Sequence, residues 1–244
     1  HNVPERGAEA KLAVDLHRRA AIERHHTATH LLHWALHEIT SPDASQKGSY
    51  VGPEKLTFDF NSQALSADQI ADIERLVNER IVENATVSWI ELAHAEIAKR
   101  DDILQFFGEK YGDQVRVVQI GGEATLLNGY SMELCGGTHT RTTGEIGLFR
   151  ITGESAIAAG VRRIEANAGL IAAEQARVDA ERITTLAECL NSPVKDLEKK
   201  IEQALEQSRK LEKQLKSLQQ TQAKNVAQEL IAKSENAEGV SFIT

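Results

Sequence analysis

Only two cysteines, Cys135 and Cys189, occur in the 244 residues, too few for the disulfide framework of a small secreted domain. No run of 18 apolar residues is present, which argues against a membrane span. The opening stretch, HNVPERGAEAKLAVD, lacks both the apolar heart of a signal peptide and an initiator methionine. A processed or excised start, from a longer cytoplasmic protein, is therefore expected. Basic residues are in deficit, 28 Lys and Arg against 36 Asp and Glu, for a formal net charge of -8. That balance disfavours a general nucleic-acid coat but leaves room for a local basic groove. GEKYGD and QIGGEA contain glycine turns without the Walker or dinucleotide-binding context, so no phosphate loop is read there. What is present, 41% hydrophobic and 26% charged residues, suits one or two compact domains with a real core.

Residues 15–39 hold neither glycine nor proline and place Leu16, Ala20, Ile22, Leu31, Leu32, Ala35 and Leu36 at helical spacing, so one or two helices are expected. In SYVGPEKLTFDFN, Leu56, Phe58 and Phe60 alternate with Thr57 and Asp59, the pattern of a half-buried strand. Ser66 and Gln69 form a capping box for a helix whose apolar stripe is Ile70, Ile73, Leu76, Val77 and Ile81. TVSWIEL reads as a strand, HAEIAKRDDILQFF as helix, and EKYGDQVRVVQIG as a turn into a strand. YSMELCGG reads as another strand, and residues 138–169 as two or three short strands joined by glycine turns. Helices and strands intermingle up to residue 168, which predicts one α/β or α+β domain over 1–168.

Residues 169–233 are almost wholly helix-forming, with one break at Asn191-Ser192-Pro193, where Ser192 is expected to cap a second helix and Pro193 to occupy its first position. Leu197, Ile201, Ala204, Ser208, Leu211, Leu215 and Leu218 form an imperfect heptad seam. A helical hairpin, packing on another domain and a two-stranded coiled coil all fit this arm. Between Lys195 and Lys216 it carries seven basic and five acidic residues. Residues 234–244 read as a turn and a strand without a sheet to join, the start of a truncated C-terminal domain.

The chemistry concentrates in two short stretches. HHTATHLLHWALH carries histidines on one helical face at His26/His30, His30/His33 and His33/His37. CGGTH adds Cys135 and His139 across two glycines that let the backbone turn tightly. Three imidazoles and a thiolate (His26, His30, Cys135, His139) suit tetrahedral zinc. The competing reading makes the histidines packing or surface residues and Cys135 an ordinary buried thiol. HTATH lacks the glutamate that a zinc protease needs beside its first histidine. A Cys–His nucleophile needs thiolate and imidazole in contact with an orienting group, which this spacing does not specify.

The paired HTATH and CGGTH motifs, with KGSYVGPEKLTFDFN, FFGEKYGDQVRVVQIG and GVRRIEANAG, resemble the editing domain of alanyl-tRNA synthetase followed by part of its C-terminal helical region. The resemblance runs over roughly residues 15–230, and the motif pair also occurs in free-standing trans-editing proteins and in the threonyl-tRNA synthetase editing domain. It implies an α+β editing domain with a mixed or antiparallel sheet and flanking helices, then a long helical hairpin or coiled-coil-like arm. It further implies one zinc ion per chain on His26, His30, Cys135 and His139, and a substrate pocket with Thr27, Thr29 and Gln46. His25 precedes the motif where another residue is usual, a candidate to be mistaken for a ligand. The implied activity is hydrolysis of the ester on tRNA(Ala) wrongly bearing serine or glycine, because an alanine site cannot exclude either well enough by binding alone. ATP-dependent aminoacylation would lie in domains absent here. Arg162, Arg163 and Lys47 are candidates for tRNA backbone contacts, with Glu165 or Glu133 as alternative partners of Arg163. Implied partners are the tRNA acceptor end and, through the arm, a second copy or the rest of the chain. A zinc-stabilised tRNA-binding or assembly fragment is the alternative reading.

Overall fold

The computed structural model describes residues 7, 9, 11–105 and 112–232, together with the backbone of two strands within 234–243. The chain divides into two compact units, His1–Arg177 and Val178–Thr244. Among the described residues, no helix is long and apolar enough to cross a membrane.

The first unit is α+β. Helix α1 (Leu16–Ile39) is one uninterrupted helix, begun by Asp15, whose side chain accepts from the Arg18 N–H. Strands β1 (Gln46–Val51) and β2 (Leu56–Asn61) follow as an antiparallel hairpin. Helix α2 (Ala67–Val82) starts at the expected Ser66/Gln69 capping box and buries Ile73, Val77 and Ile81. Next come β3 (Val87–Ala93), the four-residue α3 (His94–Ile97), β4 (Gln114–Ile120) and β5 (Ser131–Leu134). The helix expected over HAEIAKRDDILQFF is thus only one turn long, and Phe106 and Phe107 lie outside the described residues. After a 3₁₀ turn at Thr143–Ile146, β6 (Phe149–Ala158) and β7 (Val161–Ala168) form a hairpin across Gly160.

Two antiparallel sheets result, one of order β1-β2-β7-β6 and one of order β3-β4-β5. Helices α1 and α2 cover the first, burying Leu31, Leu32, Leu36, Phe58, Phe60, Ile73, Phe149 and Ile164 in one core. Each such side chain contributes roughly 1.5–3 kcal/mol on leaving water. Helix α1 also reaches β5 of the second sheet, so it is the element on which both sheets converge.

Strand β2 is not half-buried as its alternation suggested. Thr57 and Asp59 are buried along with Leu56, Phe58 and Phe60. The reason is its central place between β1 and β7: Asp59 lies directly opposite Arg163, whose guanidinium grips both carboxylate oxygens at 2.6 and 2.8 Å.

In the second unit, the remainder of α4 (Leu170–Cys189) ends in a Schellman-type turn. Asn191 takes φ +46°, Ser192 N–H donates to Ala187 O, and Asn191 N–H donates to Glu188 O. Ser192 is therefore part of the stop signal and not the cap expected for the next helix, and its hydroxyl donates to Pro193 O. Pro193 precedes a 3₁₀ turn, Val194–Asp196, that leads into α5 (Leu197–Ala232). No residue of the 36-residue α5 is buried, so the heptad seam is uncovered. The final strand does find a partner: β9 (Val240–Ile243) pairs with β8 (Ser234–Ala237) in an antiparallel hairpin.

Candidate functional site

One turn of α1 sets His26 and His30 side by side, their rings stacked with centroids 5.4 Å apart. The loop leaving β5 brings Cys135 and His139 to them. Cys135 Sγ lies 3.4 Å from both His26 Nε2 and His139 Nε2. One ligand atom from each of the four residues lies within 4.8 Å of every other. A tetrahedral zinc with ordinary Zn–N and Zn–S bonds separates its ligand atoms by about 3.3–3.6 Å, so the set is already close to that spacing.

His30 provides the sharpest test of fit. Its Nδ1 is held by Glu133 Oε2 at 2.7 Å, while its Nε2 is buried without a hydrogen-bond partner. A buried imidazole nitrogen left unpaired costs roughly 1–3 kcal/mol, and a metal ion held jointly with the other three residues removes that cost. The donor set, three nitrogens and one sulfur, is the kind that zinc accepts.

The loop carrying Cys135 and His139 is fastened at several points. Arg116, on β4, donates Nε–H to Cys135 O at 2.9 Å and an Nη2–H to Gly137 O. Thr27, fully buried on α1, accepts from the Thr140 N–H at 3.0 Å and from the Thr140 hydroxyl at 3.2 Å. Gly137 is required by close approach: a Cβ there would stand 1.9 Å from His26 Cε1. Gly136 meets no such obstacle.

The electrostatics favour a deprotonated sulfur. Burial pushes the Cys135 thiol up, but hydrogen bonds from His139 and His26 and the nearby charge of His30 outweigh it and bring the pKa to about 3. Burial lowers His139 to about 4, against the hydrogen bond it makes to the Cys135 sulfur. Burial opposes ionisation of both His30 and Glu133, yet their mutual attraction holds the imidazole above and the carboxyl well below their ordinary ranges. Glu133 also takes His33 Nδ1 on its other oxygen at 3.0 Å. A carboxylate behind a ligating histidine fixes which nitrogen faces the ion and raises its basicity.

His25 points away from the cluster: its Nδ1–H donates to Gly52 O at 2.8 Å and its Nε2 accepts from the Ala168 N–H at 3.0 Å. Thr29 is buried and donates its hydroxyl to His25 O. Gln46 lies half-buried in β1, beside a bulge, and makes no hydrogen bond to another described residue through its side chain. Lys47 is exposed. Arg162 pairs with Glu154, and Arg163 pairs with Asp59 in place of either alternative partner weighed for it. Glu165 instead meets Lys55.

The sequence offered Glu133 only as a partner for Arg163, not for the histidines, and did not single out Arg116 at all. Glu133 carried a usable signal, since it stands two residues before Cys135 and alternate residues of a strand share a face. Arg116 carried none, because its role exists only once β4 pairs with β5.

The chain is similar in sequence to known proteins. The threonyl and alanyl tRNA synthetase second additional domain matches residues 115–165. An alanine–tRNA ligase of Akkermansia muciniphila is 55% identical over 171 residues, 70% of this chain and 18% of that protein. One from Methylacidiphilum infernorum is 53% identical over 164 residues, 67% of this chain and 17% of that protein. One from Opitutus terrae is 43% identical over 239 residues, 98% of this chain and 24% of that protein. The chain thus spans about a quarter or less of the length of these relatives.

Proposed function

We propose that this chain, which belongs to the alanine–tRNA ligase family as one segment of its longer members, is a cytoplasmic deacylase module that removes serine or glycine wrongly esterified to tRNA(Ala). The observation that carries the reading is the convergence of His26, His30, Cys135 and His139, with His30 Nε2 left for an ion. The reaction is ester hydrolysis: water adds to the carbonyl carbon, the bond to the ribose oxygen breaks, and that oxygen takes up a proton. His26, His30, Cys135 and His139 would together hold zinc, and an ion with four protein ligands would supply a positively charged structural centre for the pocket.

The chain's own residues then position the substrate. Thr27 holds Thr140, the residue after His139, against α1, and Thr29 ties down the helix backbone beside the cluster. Gln46, with an amide not engaged elsewhere, is the proposed contact for the substrate's hydroxyl or for the attacking water. A site that hydrogen-bonds serine's hydroxyl rejects alanine, which leaves the same groups unpaired. Lys47, exposed beside Gln46, is the proposed phosphate contact. Arg162 and Arg163 can take the same part only by sharing or exchanging Glu154 and Asp59.

Incubating the chain with seryl-, glycyl- and alanyl-tRNA(Ala) tests the reading. Release of serine and glycine but not alanine is expected, abolished by chelation and by Cys135→Ala. Release no faster than spontaneous hydrolysis refutes it. A second reading, an assembly or tRNA-binding piece stabilised by zinc, draws on the uncovered seam of α5. It predicts zinc binding and tRNA retention without hydrolysis.

A further inference from the structure

Beside the metal-ligand cluster lies a groove of about 250 Å³, bordered by Glu23 of α1, by Trp89 and Arg116 of the three-stranded sheet, and by Gly137 and His139 of the ligand loop. It is smaller than the roughly 300–1,000 Å³ of sites that enclose a whole drug-sized ligand. That size suits one planar ring at the edge of a larger substrate. Of the two tryptophans, Trp34 packs against the core beneath Arg80, whereas Trp89 is 57% exposed. The Arg116 guanidinium stands 5.3 Å from the Trp89 ring centre and covers one face. The same guanidinium holds Cys135 O and Gly137 O. The indole is thereby set in register with the loop that carries two of the four ligands.

The lining also indicates what kind of group belongs there. Arg116 already serves two carbonyls and a ring, and the other charged residue is a carboxylate, Glu23. Such a groove is poorly suited to a phosphate and well suited to a neutral aromatic ring. An ester hydrolysed at the cluster joins an amino acid to the ribose of a terminal nucleotide, so the attached base must lie within one nucleotide of it. Unpaired bases are bound by stacking on aromatic and guanidinium planes.

We propose that the open face of Trp89, backed by Arg116, is the stacking platform for the terminal nucleobase of the RNA whose ester is cleaved at the neighbouring cluster. The proposal rests on the deacylase reading given above. Trp89 is a positioning residue: it holds the nucleoside and takes no part in bond breaking. Because the ring is exposed, truncating it leaves the fold intact, whereas loss of a base stack weakens binding roughly 5- to 150-fold.

Two measurements test it separately from that reading. The first is deacylation of seryl-tRNA(Ala) by the Trp89→Ala and Trp89→Phe chains. The expected result is a KM raised within that range for alanine, with kcat changed less than threefold and KM largely restored by phenylalanine. An alanine chain with KM within twofold of the parent overturns the proposal while leaving the deacylase reading standing. The second uses a Trp34→Phe chain, in which Trp89 is the sole indole, titrated with a hairpin RNA ending in an unpaired adenosine. Quenching of Trp89 emission is expected even where no ester is present. Quenching without any deacylation by the parent chain refutes the catalytic reading and retains the stack, and RNA binding with unchanged emission refutes the stack.

Discussion

Replacing Glu133 with glutamine or leucine gives the most direct probe of how the cluster is built. Glu133 is 2% exposed and holds two buried histidines, His30 at 2.7 Å and His33 at 3.0 Å. Glutamine keeps one acceptor oxygen, which can still take the His30 Nδ1–H, but removes the charge and presents an NH₂ group to His33. Leucine removes both acceptors and leaves the buried His30 Nδ1–H unpaired, at about 1–3 kcal/mol. Loss of a carboxylate behind a ligating histidine weakens metal binding roughly 10- to 100-fold, or about 1.4–2.8 kcal/mol. Glu133→Gln is therefore expected near the lower figure and Glu133→Leu near or beyond the upper. The assay is competition for zinc against a chelator of known affinity, with circular dichroism to confirm that each chain is folded. Folded variants that both bind zinc as tightly as the parent would refute the idea that Glu133 orients His30 toward an ion.

Gly137→Ala places a methyl group 1.9 Å from His26 Cε1. Loss of zinc binding with a thermal midpoint of the metal-free chain near that of the parent is expected, whereas Gly136→Ala, in open space, keeps both. Retained zinc affinity in Gly137→Ala would show that the loop moves aside freely. The pH dependence of folding has a contribution from His25. Burial lowers its pKa below the ordinary 6.5, only partly offset by its hydrogen bond to the Gly52 carbonyl. The unfolded chain takes up this proton below about pH 6.5 and the folded chain resists it, so stability falls as pH drops through 6.5 toward the lower folded value. Urea midpoints of the metal-free chain between pH 8 and 5 should fall less steeply in His25→Gln than in the parent, and equal slopes would contradict this.

The histidine spacing of α1, the Ser66/Gln69 capping box and the order of strands after Thr86 were all legible because each depends on neighbours a few residues away. The four residues that could hold a metal were legible only as two separate pairs, since nothing local says that CGGTH meets a helix about a hundred residues earlier. His25 and His26 are alike by type, and the difference between them lies in tertiary contacts: one is taken up by Gly52 and Ala168, the other meets Cys135. Asp59 read as a solvent-facing residue because alternation describes one strand alone. A central strand has neighbours on both sides, and Arg163 closes over the face that alternation assigned to water.

By itself, the sequence determined where helices begin, which side chains share a helix face, and that a soft-metal donor set was available. Those properties follow from 3.6- and 2-residue periods and from capping chemistry, which act within a turn or a strand. Only the tertiary structure decided that Glu133 stands behind His30, that Arg116 links Trp89 to the ligand loop, and that Gly137 must lack a side chain. Each of those depends on strand register and on the approach of segments far apart in the chain, and such contacts form only when the core between α1 and the sheets is buried.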